Sequence, residues 1–225
     1  MGLEGLEGLV SINGDNVQVL DILLLTTLIS ILPSLLVMMT SFARYIIAFS
    51  FLRTAMNTQQ TPPNIVLTGL ALCLTLLTMS PVLTQIQENA YEPYVAEEIG
   101  QEEFVERVQE PLKEFMLRQT APATLEMFCE LAHVDTPQDD DAAMALPMRI
   151  IIPSYMTCEL KRAFEIGFLL FLPFMLIDIV VSSTLMSMGM IMLPPSMISM
   201  PFKLLLFISV NGWELLFSSL VQGFR

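Results

Sequence analysis

Residues 17–52 form an apolar run too long for one straight membrane helix, and it has ionic side chains and a proline inside it. Asp21, Pro33 and Arg44 interrupt it. A straight α-helix of 36 residues would reach about 54 Å, against a hydrocarbon core about 30 Å thick. The segment must therefore kink, turn back or leave the membrane, and Pro33, which lacks a backbone donor, is the expected break. A polar connector, residues 53–63, follows and ends at Pro62-Pro63, where two donors are missing and the backbone is forced to extend.

The same pattern recurs downstream. Residues 64–83 are about one bilayer crossing long, with Pro81 near the end. Residues 148–152 make a short apolar run closed by Pro153. Ser154 is then the expected N-cap of a helix carrying Glu159, Lys161, Arg162 and Glu165. That helix leads into a third span, 167–188, with Pro173 and Asp178 inside it. A last span, 203–221, contains Asn211, Gly212, Trp213 and Glu214.

Between the apolar blocks lies an acidic insert, residues 84–148, holding 15 acids and three bases, whereas all other residues together hold eight acids and seven bases. Phe104, Val108, Leu112 and Phe115 make one apolar stripe at helical spacing among glutamates, which Pro111 is expected to kink or divide; Leu125, Phe128 and Leu131 repeat the pattern. The expectation is an all-α, membrane-associated protein with kinked, proline-broken helices, built for oligomeric packing. It divides into hydrophobic helices at 1–83, a helical insert at 84–148, and hydrophobic helices at 149–225. So few Lys and Arg in the insert point to an extracytoplasmic location. Before Arg44 there is no Lys or Arg, so the basic start of a signal peptide is missing and another insertion route is expected.

Composition excludes several classes. At 54% hydrophobic and 15% charged the chain lies outside the disordered class. Its net charge of −13 repels phosphate, which argues against nucleic acid as a partner. Cys73, Cys129 and Cys158 match no zinc spacing and read as small buried hydrophobes. His133 is the single histidine, and neither G-x-S-x-G nor H-E-x-x-H occurs, so no catalytic, metal or cofactor site is expected. No G-x-x-x-x-G-K-[ST] loop is present to hold a nucleotide.

Two features stay open on the residues alone. Asp21, Arg44, Asp178, Asn211 and Glu214 fall within or beside apolar runs, where a charge facing lipid costs about 2.5–3.5 kcal/mol. They either pair within an assembly or carry protons or ions. Glu159 and Lys203 each precede a span and would pair if those elements pack antiparallel. Six methionines fall in residues 186–200, of 17 in the chain. Met186, Met188, Met190 and Met192 alternate, which would scatter them around a helix but gather them on one side of a loop. Gly189 and Pro194-Pro195 favour the loop. The methionines are either adaptable packing filler or a pliable ring closing a pore.

Longer strings carry a resemblance. Ser41-Phe42-Ala43-Arg44-Tyr45-Ile46-Ile47, Ser50-Phe51-Leu52-Arg53 and Asn57-Thr58-Gln59-Gln60-Thr61-Pro62-Pro63-Asn64 look like the first signature of the FliP family. Pro111-Leu112-Lys113-Glu114-Phe115-Met116-Leu117-Arg118-Gln119-Thr120 resembles its insert, and Met148-Arg149-Ile150 through Lys161 its next block. Gly189-Met190-Ile191-Met192-Leu193-Pro194-Pro195 and Pro201-Phe202-Lys203-Leu204-Leu205-Leu206-Phe207 resemble the remaining signatures.

That resemblance implies a core subunit of the flagellar type III export gate, in the bacterial inner membrane at the basal body. It implies five copies assembled with FliQ and FliR, beside FlhA and FlhB, passing unfolded flagellar subunits. Membrane lipid is a further implied partner. It implies a pore gate at Met190, Ile191 and Met192, with Ile191 standing where the family usually has a third Met. Asn211 stands where the family commonly has Asp, and Ala43 and Asn57 are lesser departures from the usual Thr and Gly. Arg44, Arg53, Arg149, Glu159, Lys161, Asp178 and Lys203 are the candidates for buried pairing or interfaces. The rival readings are the related SctR subunit of a virulence injectisome and a proton or ion transporter using Asp21, Asp178 and Glu214.

Overall fold

The central element is a short helix whose one apolar face is wrapped by the longer ones. A computed structural model of the chain describes residues 11–12, 15–16, 19–190 and 192–224; along part of the first helix, Asp21 included, it describes the backbone alone. Two units separate, Met1–Met38 and Met39–Arg225. The first holds a two-residue antiparallel pair, β1 (Ser11–Ile12) with β2 (Asp15–Asn16), and then α1 (Val19–Met38). Everything else with regular structure among the described residues is helical.

Pro33 does not break the first apolar run. It lies inside α1, and the helix ends at Met38. A proline removes one ladder bond and leaves the others in place. Nearby hydroxyls add bonds of their own, with Ser30 Oγ donating to the Thr26 carbonyl at 2.8 Å and Ser34 Oγ to that of Ile31 at 2.7 Å.

The second unit is organised around α2 (Phe42–Ala55). Its buried residues Tyr45, Ala48, Phe49, Leu52 and Ala55 recur at helical spacing and face one core. Against that face pack α3 (Asn64–Ile86) and α8 (Met148–Ser187), with α9 (Pro195–Ser209) and α10 (Gly212–Gln222) contributing Phe207, Leu216 and Leu220. Small residues let the helices close. A Cβ on Gly167 would meet the Phe51 ring at 2.4 Å, and one on Gly212 the Phe207 ring at 2.2 Å. Asn211, at φ +51°, turns the corner between α9 and α10, a left-handed conformation that Asn tolerates better than most residues.

The insert is helical and shares its core with α8. After α3 come a π-helical turn, Gln87–Tyr91, and α4 (Glu92–Val95), then α5 (Gln101–Gln119), α6 (Pro122–Leu131) and α7 (Asp140–Met144). Pro111 neither divides α5 nor faces water; it is buried within the helix. Met116, Leu125, Cys129 and Leu146 pack against Ile150, Ile151 and Tyr155 at the start of α8. Burial there pushes the Cys129 thiol up in pKa, with Glu126 nearby adding to the rise, so it stays a neutral packing group.

Nor does Pro153 end a segment. The helix α8 runs 40 residues, about 60 Å, through both Pro153 and Pro173. Its N-cap position is Pro147. Ser154, inside the helix, donates instead to the Ile150 carbonyl at 2.7 Å. Prolines are tolerated in such helices where hydroxyls and neighbouring helices satisfy freed carbonyls.

Among the described residues, Asn64–Val95 and Met148–Ser187 are long and apolar enough to cross a membrane, as is the pair α9–α10 if its 64° bend belongs to one span. On α8, Phe164, Phe168, Leu169, Leu176 and Val180 stand exposed. So broad an apolar face needs lipid or another protein surface against it.

Gly167→Ala should destabilise the fold by about 1–3 kcal/mol through overpacking. Phe51→Leu in the same chain should recover part of that loss, read as the thermal unfolding midpoint in detergent.

Candidate functional site

At the end of α8 the chain turns on a single glycine. Gly189 takes φ +76°; its amide donates to the Met186 carbonyl at 3.0 Å, and the Met190 amide donates to that of Leu185 at 3.0 Å. This left-handed closure satisfies carbonyls the helix leaves open, and side-chain residues rarely adopt it. On the far side Pro194 caps and Pro195 starts α9, where a missing amide costs nothing. The loop between is thus bounded by residues whose backbones dictate it.

Methionines in this turn and on the helix ends beside it face outward. Met186, Met188, Met190, Met192 and Met197 are exposed, Met192 almost completely at 98%. Elsewhere the chain does use methionine as filler, since Met56, Met79 and Met116 are buried. The loop methionines touch too little of this chain to serve that purpose within it. Ile191 lies outside the described residues.

An ionic brace holds the two helices behind the loop. Lys203 Nζ, on α9, donates to Asp178 Oδ2 on α8 at 2.7 Å and to the Ala55 carbonyl at 2.9 Å. Ser199 Oγ donates to Asp178 Oδ1 at 2.6 Å. Both carboxylate oxygens are therefore engaged. Lys203 is buried and Asp178 is 38% exposed. Ala55 ends α2, so its carbonyl is one the helix cannot satisfy and lies at the negative end of the helix dipole. One ammonium ties α2, α8 and α9 together below the loop.

A second ion pair lies at the other end. Arg44 on α2 and Glu159 on α8 are both buried and join by two hydrogen bonds, Nε to Oε2 at 2.7 Å and Nη2 to Oε1. Arg162 adds a longer contact to Glu159 at 3.6 Å and donates to Gln119 Oε1 of α5 at 2.6 Å. A fork-to-fork pair of this kind gives geometric definition as well as energy.

Glu159 and Lys203 therefore do not pair. They belong to separate ionic centres, because Glu159 meets Arg44 of α2 early in α8, whereas Lys203 of α9 meets that helix farther along, at Asp178. Glu159 and Asp178 lie about 28 Å apart along that helix, and the α9 ammonium bonds at Asp178. Of the other candidates, Arg53 bonds Asn64 Oδ1 and the Pro62 carbonyl, closing the connector. Arg149 and Lys161 are exposed on α8 and make no ion pair among the described residues. Glu214 is exposed in the first turn of α10, where the helix dipole favours an acid. The side chain of Asp21 lies outside what is described. No group of His, Cys, Asp and Glu among the described residues is arranged to hold a metal.

Sequence reasoning missed Gln119, Ser199 and the Ala55 carbonyl. They are neutral partners, and nothing in their spacing marks them.

Comparison with known proteins adds an independent line. The FliP family pattern matches residues 24–220. A flagellar biosynthetic protein FliP of Pectobacterium carotovorum is 50% identical over 202 residues, 90% of this chain and 77% of the relative. Its counterpart in Aquifex aeolicus is 46% identical over 94% of this chain and 88% of its own length. The one in Bacillus subtilis is 46% identical over 90% of each.

Removing the buried ammonium strands the Asp178 carboxylate, but because that carboxylate is partly open to solvent the cost falls below the about 3–5 kcal/mol of a fully buried pair. Lys203→Met should therefore lower the unfolding midpoint and raise protease cleavage in the 188–194 loop. Asp178→Asn in the same chain should reverse much of both effects.

Proposed function

The chain belongs to the FliP family, and from that membership we propose that it is a membrane-embedded component of the flagellar export apparatus, serving as a subunit of its protein-conducting pore. The observation that carries the pore role is the exposed methionine loop, closed by Gly189, opened again by Pro194-Pro195 and braced from behind by Asp178 and Lys203.

Thioether chains are unbranched, apolar and adaptable, so a ring of them can exclude water and still part around a passing chain. One copy presents a single loop, which closes nothing by itself. A symmetric ring of copies would bring several loops to one axis. Met190, Ile191 and Met192 would form the constriction. The exposed faces of α3 and α8 would then lie against sister copies, FliQ, FliR or lipid, which accounts for apolar surface that one chain leaves uncovered. Five copies, contacts with FlhA and FlhB, and unfolded flagellar subunits as cargo complete the proposal. The complex would sit in the bacterial inner membrane, at the flagellar basal body. The insert would face the extracytoplasmic side, since its acids are not retained by the bias that holds Lys and Arg inside. This role is conduction, not catalysis, with energy supplied by other parts of the apparatus.

A rigid brace beneath a pliable loop divides the work. The ion pairs fix where the loop stands, and the methionines supply the give. Replacing Met190 and Met192 together with Ala should leave the assembled complex intact but make membranes leak ions or small solutes. Unchanged permeability in an assembled variant would contradict the gate. Copurification with FliQ and FliR, followed by mass measurement of the intact particle, tests the ring.

A further inference from the structure

Two residues that follow α10 make contacts out of proportion to their length. The Gly223 carbonyl accepts from Arg44 Nη1 at 3.1 Å, and the Phe224 carbonyl accepts from Gln119 Nε2 at 3.3 Å. The Phe224 ring lies under the Arg44 guanidinium, 3.5 Å from Cζ to the ring centroid. It stacks on Phe115 with centroids 6.0 Å apart and meets Tyr45 edge-on at 5.6 Å. Arg44, Tyr45, Phe115 and Gln119 thus form a socket with walls from α2 and α5, and an aromatic residue of a third segment fills it.

The socket has a position that gives it consequence. Arg44 is the same residue that forms the buried pair with Glu159. Beyond the ring, a cleft of about 140 Å³ lies between α3 and α5, bordered by polar Gln85, Glu114 and Arg118 as well as by Phe224. Phe224 both borders that polar cleft and covers the Arg44 guanidinium of the ion pair. A cation held over an aromatic face gains most where water is excluded, and a buried ion pair depends on the same exclusion.

We propose that Phe224 is an intramolecular latch, which keeps the Arg44–Glu159 pair dry and fastens the insert helix α5 to the α2–α8 core. It is independent of any pore. Removal of the ring lets water from the cleft reach the guanidinium, and α5 loses the aromatic contact through Phe115, while the Gln119 bond to the Phe224 backbone carbonyl loses the ring that shields it. The core around Asp178 and Lys203 lies at the other end of α8 and does not depend on the latch.

The test is hydrogen exchange on the full chain in its detergent-solubilised complex. Phe224→Ala should speed exchange at least about tenfold in residues 112–119 and 155–163, while residues 195–209 stay within about twofold of wild type. Phe224→Tyr, which keeps the ring, should exchange as wild type does. If the alanine variant fails to fold, Phe224→Leu serves the same measurement, with an expected acceleration of about threefold or more in the same two segments. Exchange in 112–119 within twofold of wild type in either variant overturns the latch. So does an acceleration that spreads equally to 195–209, since that reports general loosening.

Discussion

The pairing of Arg44 with Glu159 is the constraint from which the arrangement of the helices follows. A guanidinium and a carboxylate, both nearly without solvent contact, are costly in an apolar core unless their hydrogen-bonding groups are engaged. That requirement fixes α2 against the first half of α8 in one register. Gln119 and Arg162 then bring the end of α5 to the same place, and Gly223 and Phe224 close it. The second centre at Asp178 and Lys203 repeats the logic farther along α8. One long helix therefore carries two ionic anchors, to which α2, α5, α9 and the residues after α10 are tied.

That division has a mechanical consequence. Apolar packing alone is non-directional and lets helices slide or rotate among nearly equivalent arrangements. Anchors with defined hydrogen-bond geometry remove that freedom. A loop beyond the second anchor can then be soft in its side chains while its position stays set. The methionines, the left-handed glycine and the two prolines belong to a part of the chain where backbone is dictated and side chains are free.

Much of this was legible in the residues, for an identifiable reason. Charges inside apolar runs are costly, so Arg44 and Asp178 stand out in the sequence, and Glu159 and Lys203 do so by their place just before spans. Gly189 and Pro194-Pro195 announced the loop because their backbone restrictions act locally. The partner of each charge was not legible. Pro33, Pro111 and Pro153 read as breaks, since in water a proline inside a helix is costly, yet all three lie within continuous helices. With Pro153 taken as a stop, the first turns of α8 were hidden; that Lys203 meets this helix at Asp178 rather than at Glu159 depends on where α9 packs, which residue spacing does not encode. Gln119, Ser199 and Phe224 were invisible for a different cause. Neutral partners and single aromatic residues acquire meaning only once distant segments meet.

A double-mutant cycle on Arg44→Gln and Glu159→Gln, with stability measured on the full chain in detergent, tests the central claim most directly. If the pair is the anchor described, each single change is strongly destabilising and the two are coupled by about 2–3 kcal/mol. Single effects that simply add, to within about 0.5 kcal/mol, would mean that the helices are held in register by something else.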